Sequence, residues 1–501
     1  MNDLHTLAAG VVCVGFDGTK PDDLDKRLVD TPFAGYILFA RNVENVEQTA
    51  ALSAALQQHG DGLPRIVAID QEGGRVARLR SGVEELPAMM AVAAAGSEEL
   101  AQRAGAQMGY DLRRAGVNLD FAPVLDLALF EQNTVIGARS FGDDPQEVAR
   151  FARAFARGLR DSGMLPTYKH FPGHGSTEVD SHLDLPVIDL DEDVLRGRDL
   201  APFRMLLADA PAVMTAHIIV NAFDRERAAT VSRAVLGDLL RDACGFEGVC
   251  FTDCMQMDAI AKGIGSVPGG VEAIRAGADC VLVSHSIDIA LQTIDALVRA
   301  VEDGSLDRAR LEEAHRRVTA LRRQAQSCAA QPLPANAPFP GIGREIGRAA
   351  VTPVRGEVRA ETSTSIIVSF EGTTTEGVQG THTFHATLEQ PVQTIRLPLE
   401  PAGADLDRAL QGLQQSGKRP IVFMRRAHVY EAQRIAVERI VEAYPDALLV
   451  SLREPYDAFK FPQAATIVCT YGDDAPSIQG LGDVLFGGAP AAGRLPLHVL
   501  A

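Results

Sequence analysis

The segment GVVCVGFDG, residues 10–18, is a short, almost unbroken apolar run that ends in glycine and aspartate. Its length suits a strand, and its lack of polar alternation suits a strand buried on both faces, as in a parallel sheet. Seven runs of the same kind follow: AGYILFA (34–40), RIVAIDQEG (65–73), NLDFAPVLDL (118–127), MLPTYKHFPG (164–173), AVMTAHIIV (212–220), GVCFTDCM (248–255) and CVLVSH (280–285). Amphipathic patterns lie between them. Val148, Phe151, Phe155 and Leu159 form one helical stripe, and Leu100, Ala104, Met108 and Leu112 form another. Eight βα units in roughly 320 residues predict an α/β fold with an N-terminal (β/α)8 TIM barrel over residues 1–326.

SCAAQPLPANAPFPG (327–341) is rich in proline and alanine, has no periodicity, and reads as a linker. Beyond it the βα rhythm resumes on a smaller scale. TSIIVSF (364–370), RPIVFM (419–424), ALLVSL (447–452) and ATIVCTY (465–471) are predicted strands. Residues 342–501 are therefore expected to form a smaller open α/β sandwich domain. It has neither a strand-linked GxGxxG nor a GxxxxGK[ST], and no nucleotide is assigned to it.

The chain has 501 residues, is 46% hydrophobic and carries a formal net charge of -18. That charge argues against nucleic acid and anionic membrane as partners, since both need basic surface. No stretch reaches the ~18 apolar residues of a spanning helix, and the N-terminus does not read as a signal peptide. The seven cysteines are scattered without CxxC pairs and read as reduced thiols, which predicts a cytoplasmic protein.

A barrel of this type builds its site at the C-terminal ends of its strands. Those ends carry Asp70, Gln71 and Glu72, then Asp120 and Asp126, Lys169 and His170, His217, Asp253, and Ser284 and His285. One such residue is commonly a helix cap or an ion-pair partner. Several at one end predict a polar pocket for a hydroxyl-rich ligand. Asp253 leaves an apolar strand between Phe251 and Met255, where a carboxylate is costly unless hydrogen-bonded. It reads equally as a helix cap and as a nucleophile for a sugar anomeric carbon.

The loop KHFPGHGSTEVDSH (169–182) concentrates three histidines. His170 and His174 are four residues apart, but Phe-Pro-Gly between them forbids the helix on which a metal-binding HxxxH pair sits, so no metal and no other cofactor is expected. Asp180 lies two residues before His182 and can orient its ring, leaving the other nitrogen as acid or base; a polar loop tip is the alternative.

Taken together, DQEGGRVARL (70–79), NLDFAPVLDL, IGARSFG (136–142), the KHFPGHG…DSH loop, MTAHI (214–218) and FTDCMQM (251–257) resemble the glycoside hydrolase family 3 β-N-acetylglucosaminidases of the NagZ-like branch. The matches run in the family's order over most of residues 1–325. DVLFGGAPAAGRLPLHV (483–499) is more loosely similar to the end of the second domain in two-domain members. The resemblance implies Asp253 as nucleophile and His182, assisted by Asp180, as general acid/base. It implies substrate binding by Asp70, Arg78, Arg139, Lys169, His170 and His217. Many relatives have a second acidic residue after the nucleophile; Cys254 stands there in this chain.

The implied activity is that of a retaining, exo-acting β-N-acetylglucosaminidase on a GlcNAc-containing saccharide, such as a cell-wall fragment from peptidoglycan recycling or a chitooligosaccharide. The alternative acceptor is phosphate, which would make the protein a phosphorylase. An imidazole acid/base, unlike a carboxylate, does not repel that anion. A non-catalytic sugar-binding barrel and a metal hydrolase are the remaining alternatives.

Overall fold

A computed structural model of the chain describes residues 3–58, 61–177, 185–376 and 380–498. All eight predicted barrel runs are strands: β1 (Val12–Gly15), β2 (Gly35–Leu38), β3 (Ile66–Ile69), β4 (Leu119–Asp120), β5 (Leu165–Phe171), β6 (Ala212–Thr215), β7 (Val249–Cys254) and β8 (Cys280–Val283). Each pairs in parallel with its sequence neighbours, and β8 closes on β1 with Val12 opposite Val281.

The two faces of each strand separate cleanly. Cys13, Ile37, Ala68, Phe121, Phe251 and Leu282 point inward into one apolar cluster. Val12, Val14, Tyr36, Leu38, Val67 and Ile69 point outward to the helices. Helix Pro145–Asp161 shows why the outer layer forms. Asp144 caps it by accepting from the Glu147 amide, proline occupies its first turn, and Val148, Phe151, Phe155 and Leu159 are buried. The long helix Arg308–Ala329 adds Val318, Leu321 and Ala325 to the inner cluster. The barrel interior is thus packed, with open space toward the C-terminal strand ends.

The helix Arg308–Ala329 runs three residues into the proline-rich segment, and 330–341 forms neither helix nor strand. Helix Ile342–Ala350 then leads into the second sheet, made of β9 (Thr352–Arg355), β10 (Ser365–Glu376), β11 (Gly380–Phe384), β12 (Thr394–Pro398), β13 (Arg419–Met424), β14 (Leu448–Ser451) and β15 (Thr466–Cys469). The order is β9-β15-β14-β13-β10-β11, with β12 also paired to β10. β9 and β11 run antiparallel to their neighbours and the rest are parallel.

Helices cover both faces of this sheet. Val422, Leu449 and Ile467 pack toward Leu413, Val437 and Ile440 on one side. Ile421, Val450 and Val468 pack toward Ile478, Leu481 and Leu485 on the other. The first of these cores continues into the barrel through Met90, Ala91, Ala94 and Ala128. Among the described residues no helix is long and apolar enough to cross a membrane.

Candidate active site

A cavity of about 330 Å³ opens at the C-terminal end of the barrel. Asp70, Arg78, Arg139, Lys169, His170 and Asp253 all line it. The βα alternation brings them together, because they lie at or after the C-terminal ends of four strands, β3, β4, β5 and β7, of one closed sheet.

A buried ion network forms one wall. The Lys169 ammonium, its side chain only 1% exposed, donates to Asp70 Oδ1 at 2.8 Å and sits 2.6 Å from Glu72 Oε1. Glu72 in turn accepts two bonds of 2.8 Å from the Arg139 guanidinium. Arg78 approaches the far oxygen of Asp70 at 3.8 Å. Burial by itself would raise the Glu72 pKa, but Arg139 and Lys169 outweigh it and hold the carboxyl far below its usual range. Burial likewise works against the Lys169 charge, and Asp70 and Glu72 override it, so its pKa lies above the ordinary lysine value. Fixed charges on both sides of the cavity present donors and acceptors that do not reorganise when a polyol enters, which is what hydroxyl recognition requires.

His170 belongs to a second group. Its Nδ1 lies 2.6 Å from Asp126 Oδ2, and the His174 amide donates to Asp126 Oδ1 at 2.7 Å. Burial pushes the Asp126 carboxyl up, but His170 outweighs that and the pKa ends below normal. Burial drives the His174 imidazole down to about 4, so this ring is neutral at pH 7. Burial also drives the Asp120 carboxyl, beneath the network, well above the usual value.

Asp253 is the penultimate residue of β7, across the barrel from β3. Its Oδ1 accepts from the Cys254 amide at 2.6 Å, and its own amide donates to Thr215 Oγ1 at 3.4 Å. Thr215 Oγ1 lies 2.7 Å from Thr230 Oγ1, which lies 2.8 Å from His217 Nδ1. His217 Nε2 lies 2.9 Å from the Cys254 carbonyl. A carbonyl only accepts, so Nε2 carries hydrogen. With a neutral ring, Thr230 donates to Nδ1, Thr215 donates to Thr230, and the chain closes around the backbone of Asp253 and Cys254. The Ala216 carbonyl, 3.0 Å from Thr230 Oγ1, is the competing acceptor. His217 is buried and does not line the cavity. Substrate contact was expected of His217 from the sequence; in the structure its ring nitrogens lie against Thr230 and the Cys254 carbonyl, beside the end of the Asp253 strand.

Asp180 and His182 lie outside the described residues. The described part of their loop ends at Thr177, whose hydroxyl lies 2.8 Å from His174 Nδ1. Several residues of the site escaped the sequence reading. Arg41 and Phe39 line the mouth, with the Arg41 guanidinium 4.8 Å and the His285 ring 5.6 Å from the Phe39 ring. They follow β2 directly, so the strand-end rule applied to the second run would have found them. Asn133, which donates to the His174 carbonyl at 3.1 Å, sits in a long loop with no such signal.

Strand-end charges and the Asp253 carboxylate around one cavity of about 330 Å³ make a polar ligand site at the C-terminal rim of a barrel. Residues 8–321 match the glycosyl hydrolase family 3 N-terminal domain. The chain is 39% identical over 294 residues to a β-hexosaminidase of Pseudomonas aeruginosa, covering 58% of this chain and 87% of that one. It is 33% identical over 371 residues to β-hexosaminidase A of Pseudoalteromonas piscicida, covering 68% and 62%. The solved structure of a glycoside hydrolase family 3 β-N-acetylglucosaminidase from Paenibacillus sp. str. FPU-7 superposes with a TM-score of 0.93 at 32% identity, covering 100% of both chains. The chain belongs to glycosyl hydrolase family 3 and is, within it, NagZ-like.

Proposed function

We propose that this protein is a retaining exo-β-N-acetylglucosaminidase that removes terminal GlcNAc from cell-wall fragments or chitooligosaccharides, with water as acceptor. The observation that carries the reading is Asp253 facing the Lys169–Asp70–Glu72–Arg139 network across one cavity. About 330 Å³ is at the small end for ligand pockets and suits one sugar ring, hence exo action. The β-hexosaminidase and β-N-acetylglucosaminidase relatives support the N-acetylated sugar.

In the first step an Asp253 oxygen bonds to C1 as the C1–O bond to the aglycone breaks, and protonated His182, oriented by Asp180, gives its proton to the leaving oxygen. In the second, neutral His182 takes a proton from water as the water oxygen bonds to C1. The C1–Asp253 bond breaks and the β configuration is restored. Asp70, Arg78, Arg139, Lys169 and His170 hold the sugar, while His217 supports the strand end that carries Asp253.

Residues 1–326 are the catalytic domain in this reading, 327–341 the linker and 342–501 the second domain. We place the activity in the cytoplasm, where seven unpaired thiols stay reduced. The test is to incubate the protein with a mechanism-based 5-fluoro-glycosyl reagent and map the label by mass spectrometry. Label on Asp253, together with loss of kcat by several orders of magnitude in Asp253→Ala, is the expected result. Label on another carboxylate refutes the assignment. Product analysis at millimolar phosphate separates free GlcNAc from GlcNAc-1-phosphate, which would make phosphate the acceptor.

A further inference from the structure

In open parallel sheets the C-terminal strand edge is where ligands usually bind. In the second domain that edge is turned onto the barrel. Arg426 follows β13, and Glu454 follows β14. Both are buried and paired, Arg426 Nε and Nη2 each 3.1 Å from a Glu454 oxygen. Arg426 Nη2 also donates to the Thr134 carbonyl of the barrel at 3.2 Å. Arg426 adopts φ 62°, unusual for a residue with a side chain, so its backbone is held there by its contacts.

The barrel segment under this pair is the turn that carries Arg139. Gly137 in that turn has φ 43°, and a Cβ placed on it would lie 2.6 Å from Glu454 Oε1. Any side chain at residue 137 would press on the Glu454 carboxylate. On its other side Arg139 donates to the Val135 carbonyl at 2.9 Å and to Glu72. Asn133 ties the start of the turn to His174 through the His174 carbonyl. The turn is thus held from inside by the site network and from outside by the second domain.

We propose that Arg426 and Glu454 are positioning residues for the sugar site: they fix the 134–139 turn from the second domain so that Arg139 keeps its place between Glu72 and the cavity. This rests on the reading of the cavity as a sugar site. It gives the second domain a role in catalysis although, among the described residues, none of its own lines the cavity.

The contrast that tests it is another ion pair between the two parts of the chain. Arg103 and Glu345 join barrel helix Glu98–Arg114 to helix Ile342–Ala350 at 2.7 Å, and neither lines the cavity or touches the turn. The full-length chain is assayed with an aryl β-N-acetylglucosaminide, with thermal unfolding measured in parallel. Glu454→Gln and Arg426→Met are expected to raise KM about tenfold with kcat within about twofold. Arg426→Lys, which keeps the charge against Glu454, is expected to raise it less than threefold. Gly137→Ala, which leaves the ion pair intact but crowds it, is expected to raise KM several-fold and reports on the coupling if the first two variants fold poorly. Glu345→Gln is expected to lower Tm with KM unchanged. Wild-type KM in the Glu454, Arg426 and Gly137 variants overturns the proposal, as does an equal KM rise in Glu345→Gln. A wild type that neither cleaves the substrate nor binds GlcNAc by calorimetry overturns the sugar-site reading itself, and the clamp's purpose with it.

Discussion

Replacing Glu72 with glutamine keeps the shape of the side chain and removes one charge from the centre of the ion network. In the wild type Glu72 touches Lys169 at 2.6 Å and Arg139 at 2.8 Å. At an effective dielectric of 20 each contact carries a gross attraction of about 6 kcal/mol, most of it offset by the cost of burying the charges. Removing one member of such a buried network leaves cations uncompensated and costs about 3–5 kcal/mol. At roughly 2 °C per kcal/mol for a domain of this size, Tm at pH 7 should fall by about 6–10 °C.

The pH dependence makes the argument specific. The Glu72 carboxyl is held below its unfolded value by Arg139 and Lys169 against burial, so its contribution is fully present above about pH 4.5 and is lost as pH falls below that. Between pH 4.5 and 3 the wild type should lose about 2 kcal/mol that Glu72→Gln cannot lose. The Tm gap between the two proteins, measured by calorimetry from pH 7 to pH 3, should therefore narrow by about 4 °C. A gap that stays constant over that range would show that Glu72 does not titrate as a buried, paired carboxylate, and the account of the network would fall.

Three other outcomes are expected. His174, neutral because burial lowers its pKa to about 4, costs the fold stability as pH drops from about 6.5 to 4; His174→Gln should flatten the stability curve there by about 3 kcal/mol, and an unchanged curve would refute the burial argument. Thr230→Val breaks the hydrogen-bond chain behind Asp253 and should cost about 1–3 kcal/mol of stability and lower kcat more than it alters KM; a pure KM effect would mean that the chain positions substrate instead. His182→Ala, and more weakly Asp180→Asn, should slow substrates with poor leaving groups far more than activated aryl glycosides, whereas equal losses would make His182 a binding residue.

The edges of the second sheet show where a local reading stops. β10, β13, β14 and β15 were visible as apolar runs because they are buried between helices. β11 and β12 were not, since GTHTF is polar through its middle and TIRLP alternates polar with apolar residues. Their strand character comes from pairing with β10, which lies some residues away in sequence. The site divides in the same way. Asp70, Lys169 and Asp253 could be placed from sequence because each ends an apolar run, and the rhythm of runs puts all run ends on one rim. His217 shared that signal, but its buried contacts with Thr230 and the Cys254 carbonyl could not be read from it.

What the amino-acid sequence determined by itself is therefore the barrel, the rim and the identity of its chemical groups, since strand burial and βα alternation are properties of neighbouring residues. Only the tertiary structure decided how those groups are charged and held. Glu72 meets Arg139 across 67 positions, and Arg426 meets Thr134 across 292. Such partners leave no periodic trace, because a salt bridge or a hydrogen bond needs two side chains brought close in space and is indifferent to their separation along the chain.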